Sequence, residues 1–141
     1  MSLNNIFGIA GSALNAQTNR MNVTSSNLAN SSTVAGSEKE AFRASRTVFK
    51  TILDDQLSHS KGDSVGGVKV DQLMKDPAPV VKVQQPGHPL ADKDGFIYQS
   101  NVNEMGEMID MMAASRSYQN NIEVINTTRQ LMMRTIDVIK S

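Results

Sequence analysis

From Asn101 to the C-terminus the chain has no proline, and no glycine after Gly106, while its apolar residues recur at helical spacing. In alternating steps of four and three, positions 104, 108, 111, 115, 118, 122, 125, 129, 132, 136 and 139 read Glu, Met, Met, Ser, Tyr, Ile, Ile, Arg, Met, Ile, Ile. Eight of those eleven suit an apolar seam, which is sustained heptad patterning. The spacing predicts a helix from about residue 102 to 139, on the order of 55 Å long. Asn101 with Glu104 three residues on reads as a capping box. Glu104, Glu107 and Asp110 in the first turns, with Arg134 and Lys140 near the end, suit the helix dipole. A second apolar row, Val124, Leu131 and Val138, widens the face. One helix cannot bury both rows alone, so it needs several neighbours.

The N-terminal stretch repeats the spacing with weaker residues. Positions 3, 7, 10, 14, 17, 21, 24 and 28 read Leu, Phe, Ala, Leu, Gln, Met, Thr, Leu, six of the eight apolar. Half of residues 3–30 are Gly, Asn, Ser or Thr, which are middling to poor helix formers. Such a helix should form only when packed, so residues 1–30 are expected to be largely disordered in an isolated monomer and to order on assembly. An intramolecular helix pair closing one core is the alternative reading of the seams. Assembly is favoured because the seams sit at opposite ends of the chain and the N-terminal one carries a single charge, Arg20. Uncharged Asn and Ser can be buried between helices when hydrogen-bonded, at less cost than charge.

Residues 38–100 hold all four prolines and short β-like runs. Val68-Lys69-Val70 after Gly66-Gly67, Val80-Val81-Lys82-Val83 after Pro79, and Phe96-Ile97-Tyr98 suit strands, and Gln85 to Pro89 a turn. Over 41–57 the period is ambiguous: Phe42, Phe49, Ile52, Leu53 and Leu57 fit a helical face slightly better than a long strand. The fold class expected is α+β: long N- and C-terminal helices paired as an antiparallel coiled-coil-like bundle, with a small β-rich centre. The divisions are 1–35, 36–100 and 101–141.

Composition removes several function classes. Fourteen basic and fourteen acidic residues leave no net charge, so the phosphate electrostatics that drive nucleic-acid binding are missing. There is no cysteine for a disulfide or thiolate metal site. No run approaches the roughly 20 apolar residues of a membrane span. The N-terminus lacks a basic region before Arg20, and Gly8, Gly11 and Ser12 interrupt its apolar stretch, so a cleaved signal peptide is not expected.

Candidate chemistry is sparse. His88 lies between Gly87 and Pro89 in a turn, and neither it nor His59 has a nucleophile at useful spacing. Asp54-Asp55 and Asp92-x-Asp94 read as solvated turn acids, and the latter lacks the later Glu of a calcium loop. Met105, Met108, Met111 and Met112 sit in or beside the seam, where an adaptable side chain suits non-identical neighbours better than it suits a soft metal. Lys39, Arg43, Arg46 and Lys50 form a basic stripe only if that stretch is helical. No catalytic, cofactor or metal site is expected.

Several residues carry a family resemblance. Ser12-Ala13-Leu14, then Ser25-Ser26-Asn27-Leu28-Ala29-Asn30 and Thr33, resemble the N-terminal motif of flagellar rod, hook and related axial proteins. Asn101-Val102-Asn103, Glu107-Met108 and Ala114-Ser115-Arg116-Ser117-Tyr118-Gln119 with Asn121 are similar to their C-terminal motif. Pro86-Gly87-His88-Pro89-Leu90-Ala91-Asp92 and Gly95-Phe96-Ile97 resemble the proximal-rod members in particular. The likeness covers essentially the whole chain. It departs at Gly36-Ser37-Glu38-Lys39-Glu40-Ala41-Phe42-Arg43, which lacks the proline and tyrosine of the family's extended entry. On the resemblance, an extended strand over 42–53 is preferred to a helix.

The resemblance implies a non-enzymatic structural subunit of the basal-body proximal rod, the periplasm-spanning shaft that transmits motor torque. Export would run through the flagellar type III apparatus without a cleaved signal. Implied partners are copies of itself, other rod proteins and ring-associated proteins of the base. The expected assembly seam is Leu3, Phe7, Leu14, Met21 and Leu28 with Met108, Met111, Tyr118, Ile122, Ile125, Met132, Ile136 and Ile139. A different axial protein, or a cytoplasmic helical adaptor or export chaperone, are the competing readings.

Overall fold

A computed structural model describes residues 3–52 and 66–140. Helix α1 spans Leu3–Ala29 and helix α2 spans Glu104–Lys140. Between them lie strands β1 (Val34–Ala35), β2 (Ser45–Ile52), β3 (Gly67–Lys75), β4 (Val81–Gln84) and β5 (Phe96–Gln99). The class is α+β, as the patterns indicate. Leu53, Asp54, Asp55, Leu57 and His59 lie outside the described residues, as does the side chain of Leu3.

The strands form two antiparallel sheets, β1-β5-β4 and the ribbon β2-β3. Residues 45–52 are therefore strand, correcting the slight helical preference of the 41–57 pattern and removing the face on which Lys39, Arg43, Arg46 and Lys50 would have aligned. The reason is pairing: every residue of β2 finds a partner on β3, with one bulge between Val48 and Phe49. The ribbon lies against α1, where Ser12 Oγ accepts from Val68 N at 3.1 Å. A Cβ at Gly67 would stand 3.0 Å from that hydroxyl, so the close approach favours glycine.

In the loop from β4 to β5, Gly95 takes φ +78° and a Cβ there would meet Pro86 at 3.1 Å. Pro86 and Gly95 thus act together. His88 Nδ1 accepts from Leu90 N at 3.1 Å, and Pro89 is exposed. Asp92 Oδ1 accepts from Phe96 N and Asp94 N, closing the loop onto β5.

Helices α1 and α2 pack on each other and run antiparallel, since Arg20, Asn27 and Ser31 bond Asp110, Glu107 and Glu104 in reverse order. With about 1.5 Å of rise per residue in both helices, the start of α1 lies opposite roughly residue 130 of α2. The last turns of α2 extend past α1, and residues 133–139 are all exposed. Among the described residues no helix is long and apolar enough to cross a membrane.

Candidate assembly interface

The helix start differs from the capping box read at Asn101 and Glu104. Asn103 is the cap: its Oδ1 accepts from Gly106 N at 3.1 Å. Asn101 instead ties two loops together, its Oδ1 accepting from Ala44 N at 2.8 Å and its Nδ2 donating to Ala78 O at 2.9 Å. Val102 follows, its N donating to Ser100 Oγ. Spacing alone suited either Asn; the loop partners decided between them.

Four segments converge just inside this end. Asn27, near the last turn of α1, treats β2 as a strand would: Nδ2 donates to Ser45 O and Oδ1 accepts from Ser45 N, both at 2.9 Å. The same Nδ2 reaches Glu107 Oε2 at 3.1 Å. Glu107 is only 2% exposed, and its Oε1 accepts from Arg46 Nη1 at 3.0 Å. Arg46 also lies 3.6 Å from Asp76 and 3.6 Å from Asp110, and Asp110 accepts from Arg20 at 2.9 Å. A buried carboxylate costs several kcal/mol unless paired and hydrogen-bonded, and here both oxygens are met. The cluster locks α1, β2 and α2 at one end of the helix pair. An open cleft of about 280 Å³ beside it is lined by Arg20, Arg46, Phe49, Glu107 and Asp110 among others.

Neighbouring motif residues close the end of α1. Asn30 Nδ2 donates to Ser26 O at 2.8 Å and Thr33 Oγ1 to Asn30 O at 2.7 Å. Ser31 Oγ donates to Glu104 Oε1 at 2.6 Å. Leu28 is half-buried and Ala29 exposed.

Farther along, the interhelical face of α2 follows positions 107, 111, 114, 118, 121, 125, 128 and 132, none of which is exposed. Met111, Tyr118, Ile125 and Met132 of the expected seam lie on it. Their companions are Glu107, Ala114, Asn121 and Thr128, each one residue before Met108, Ser115, Ile122 and Arg129. Ala114 is 0% exposed and Thr128 5%. On α1, Phe7, Leu14, Met21 and Leu28 are half-buried, with Ala10 and Thr24 buried among them. Small residues at the contact let the backbones approach, and the large apolar groups off this face stay uncovered by α1. Met108, Ile122, Ile136 and Ile139 are exposed in the single chain, as are Met105, Ile109, Met112, Val124, Leu131 and Met133. Arg116 is exposed as well.

Comparison with known proteins places both helices. The family model described as "Flagella basal body rod protein" matches residues 7–36, and "Flagellar basal body rod FlgEFG protein C-terminal" matches residues 93–138. The flagellar basal-body rod protein FlgC of Yersinia enterocolitica is 49% identical over 136 residues, covering 96% of this chain and 97% of its own. That of Salmonella typhimurium is 47% identical with the same coverage, and that of Buchnera aphidicola from Acyrthosiphon pisum 42% over 98% of both chains. The chain belongs to the FlgC family of flagellar basal-body rod proteins. Within this family frame, Asn27 falls in the segment matched by the first model and Glu107 in that matched by the second. The bond between them joins the two matched segments across 80 residues of sequence. Arg46, which completes the cluster, lies between the matched segments. Nothing local marks it in the sequence beyond its place in a basic stripe.

Proposed function

We propose that this chain is a structural subunit of the proximal rod, built into the shaft through its terminal helices in a coiled-coil-like inner layer, with residues 36–100 facing outward. The observation that carries the reading is α2 itself: a helix of 37 residues that leaves most of its large apolar side chains uncovered by its own chain, in a family of rod proteins. A monomeric soluble protein seldom exposes so many large apolar side chains on one helix unless something covers them. Copies of the chain, other rod proteins and ring-associated proteins of the base are the proposed neighbours. Each buried Leu, Ile or Met contributes about 1.5–3 kcal/mol before entropy costs, so many staggered contacts resist shear under torque. Passage through the type III export apparatus without a cleaved signal belongs to the same proposal.

The test is deletion of residues 2–25. The shortened chain is expected to stay in the cytoplasm and the cells to stop swimming. Export of the shortened chain would move the signal elsewhere, and unaltered swimming would overturn the function.

A further inference from the structure

The basic residues of the central segment divide in the fold. Arg43 pairs with Glu38 at 3.2 Å, Arg46 enters the buried cluster, Lys75 sits 4.9 Å over the Phe42 ring, and Lys82 sits 4.0 Å over that of Phe96. Lys39, Lys93, Lys50 and Lys69 make no such contact among the described residues, and of these only Lys50 and Lys69 share a ladder. They stand directly opposite each other across the β2–β3 ladder, both exposed. Neither side chain has a hydrogen bond or ion pair among the described residues. Asp71, the β3 residue that the bulge leaves unpaired, makes no ion pair with either. Like charges directly opposite on a ladder destabilise it, and an acid at either position would turn the repulsion into attraction.

The outer edge of β3 is met by α1 at Val68 N and that of β2 by Asn27 at Ser45, so the edge left without a backbone partner among the described residues is that of β2 beyond Ser45. Leu73 and Met74 are 61% and 49% exposed on the same strand as Lys69. An extended segment of another protein could pair with such an edge while placing carboxylates on the lysines. Two lysines on a chain of zero net charge are too few to hold a polyanion, which favours protein carboxylates over nucleic acid.

We propose that the β2–β3 ribbon, through Lys50 and Lys69, docks an acidic segment of a neighbouring subunit in the rod. This rests on the rod reading above. Lys50→Glu tests it, because the variant places opposite charges across the ladder and should melt at or above the parent temperature. Reduced rod incorporation and swimming at unimpaired stability are expected, with a deeper loss in K50E/K69E. Selection for restored swimming in K50E/K69E should return acid-to-base changes in a neighbouring rod subunit. Should K50E/K69E melt early, K50Q/K69Q removes the repulsion without adding charge, and a partial swimming loss with parental melting is expected. Parental swimming of K50E and K50Q/K69Q overturns the docking. Deletion of the whole gene separates the two ideas: if deletion leaves swimming intact the rod reading fails, whereas if deletion abolishes it and the lysine variants swim, only the docking fails.

Discussion

Helix α1 buries Ala10, Ala16, Thr24 and Asn27, and Ile9, at 39%, is its one large apolar residue counted as exposed among the described side chains. Helix α2 buries Glu107, Ala114 and Thr128 while Met105, Ile109, Leu131 and Ile139 stay outside. Both seams carry the same spacing, yet α1 leaves one large apolar residue exposed among the described side chains and α2 leaves most of its own outside. Burial inside a monomer and apolarity of a seam are therefore separate properties. The first is set by how closely two backbones approach, and the second by how many neighbours a helix is built to meet.

The largest effect expected on the isolated protein is at the polar cluster. Glu107→Ala would leave Asn27 Nδ2 and Arg46 without their shared acceptor and cost about 2–3 kcal/mol, less than a fully buried pair because Arg46 is half exposed. Urea unfolding measures it, and a loss near zero would mean that water replaces the carboxylate. Ala114→Leu should cost about 1–3 kcal/mol by forcing the helices apart. Ile122→Asp, on the exposed side, should shift monomer stability by no more than about 0.5 kcal/mol yet block incorporation into the rod. Ile125→Asp should do both, since Ile125 is half-buried. Normal swimming with Ile122→Asp would break the contrast between the two faces.

A finer comparison is kinetic. Amide exchange in the dilute monomer should be much faster through residues 3–24 than through the first half of α2, because α1 has weak propensity and is anchored mainly near Asn27. Uniform protection of α1 would show that its seam suffices without neighbours.

The smallest effect is a pH dependence at the β4–β5 loop. The Phe96 N–H holds the Asp92 carboxyl below the ordinary value of 3.8, helped by the Asp94 N–H, the Tyr98 hydroxyl and Lys82. A depressed folded value means that this contribution is complete above the unfolded pKa and is lost as pH falls through the folded one. Loop amides should therefore be undisturbed at neutral pH and loosen only below about pH 4, and Asp92→Asn should remove that acid transition. An NMR titration that shows loosening at pH 6 would contradict the assignment.

Both helices, the three short runs at β3, β4 and β5, and the family motifs were legible in the residues alone, because periodicity and turn residues are local. Met111, Tyr118, Ile125 and Met132 lie on the interhelical face. That their companions are Glu107, Ala114, Asn121 and Thr128 follows from packing and not from the pattern. A pattern that scores apolarity cannot see that small and hydrogen-bonded residues permit the closest approach. Nor could 45–52 declare itself a strand, since its partner is supplied by residues about twenty positions on. The Asn27–Glu107–Arg46 cluster was likewise invisible: three residues far apart in the chain become one site only when α1, β2 and α2 meet.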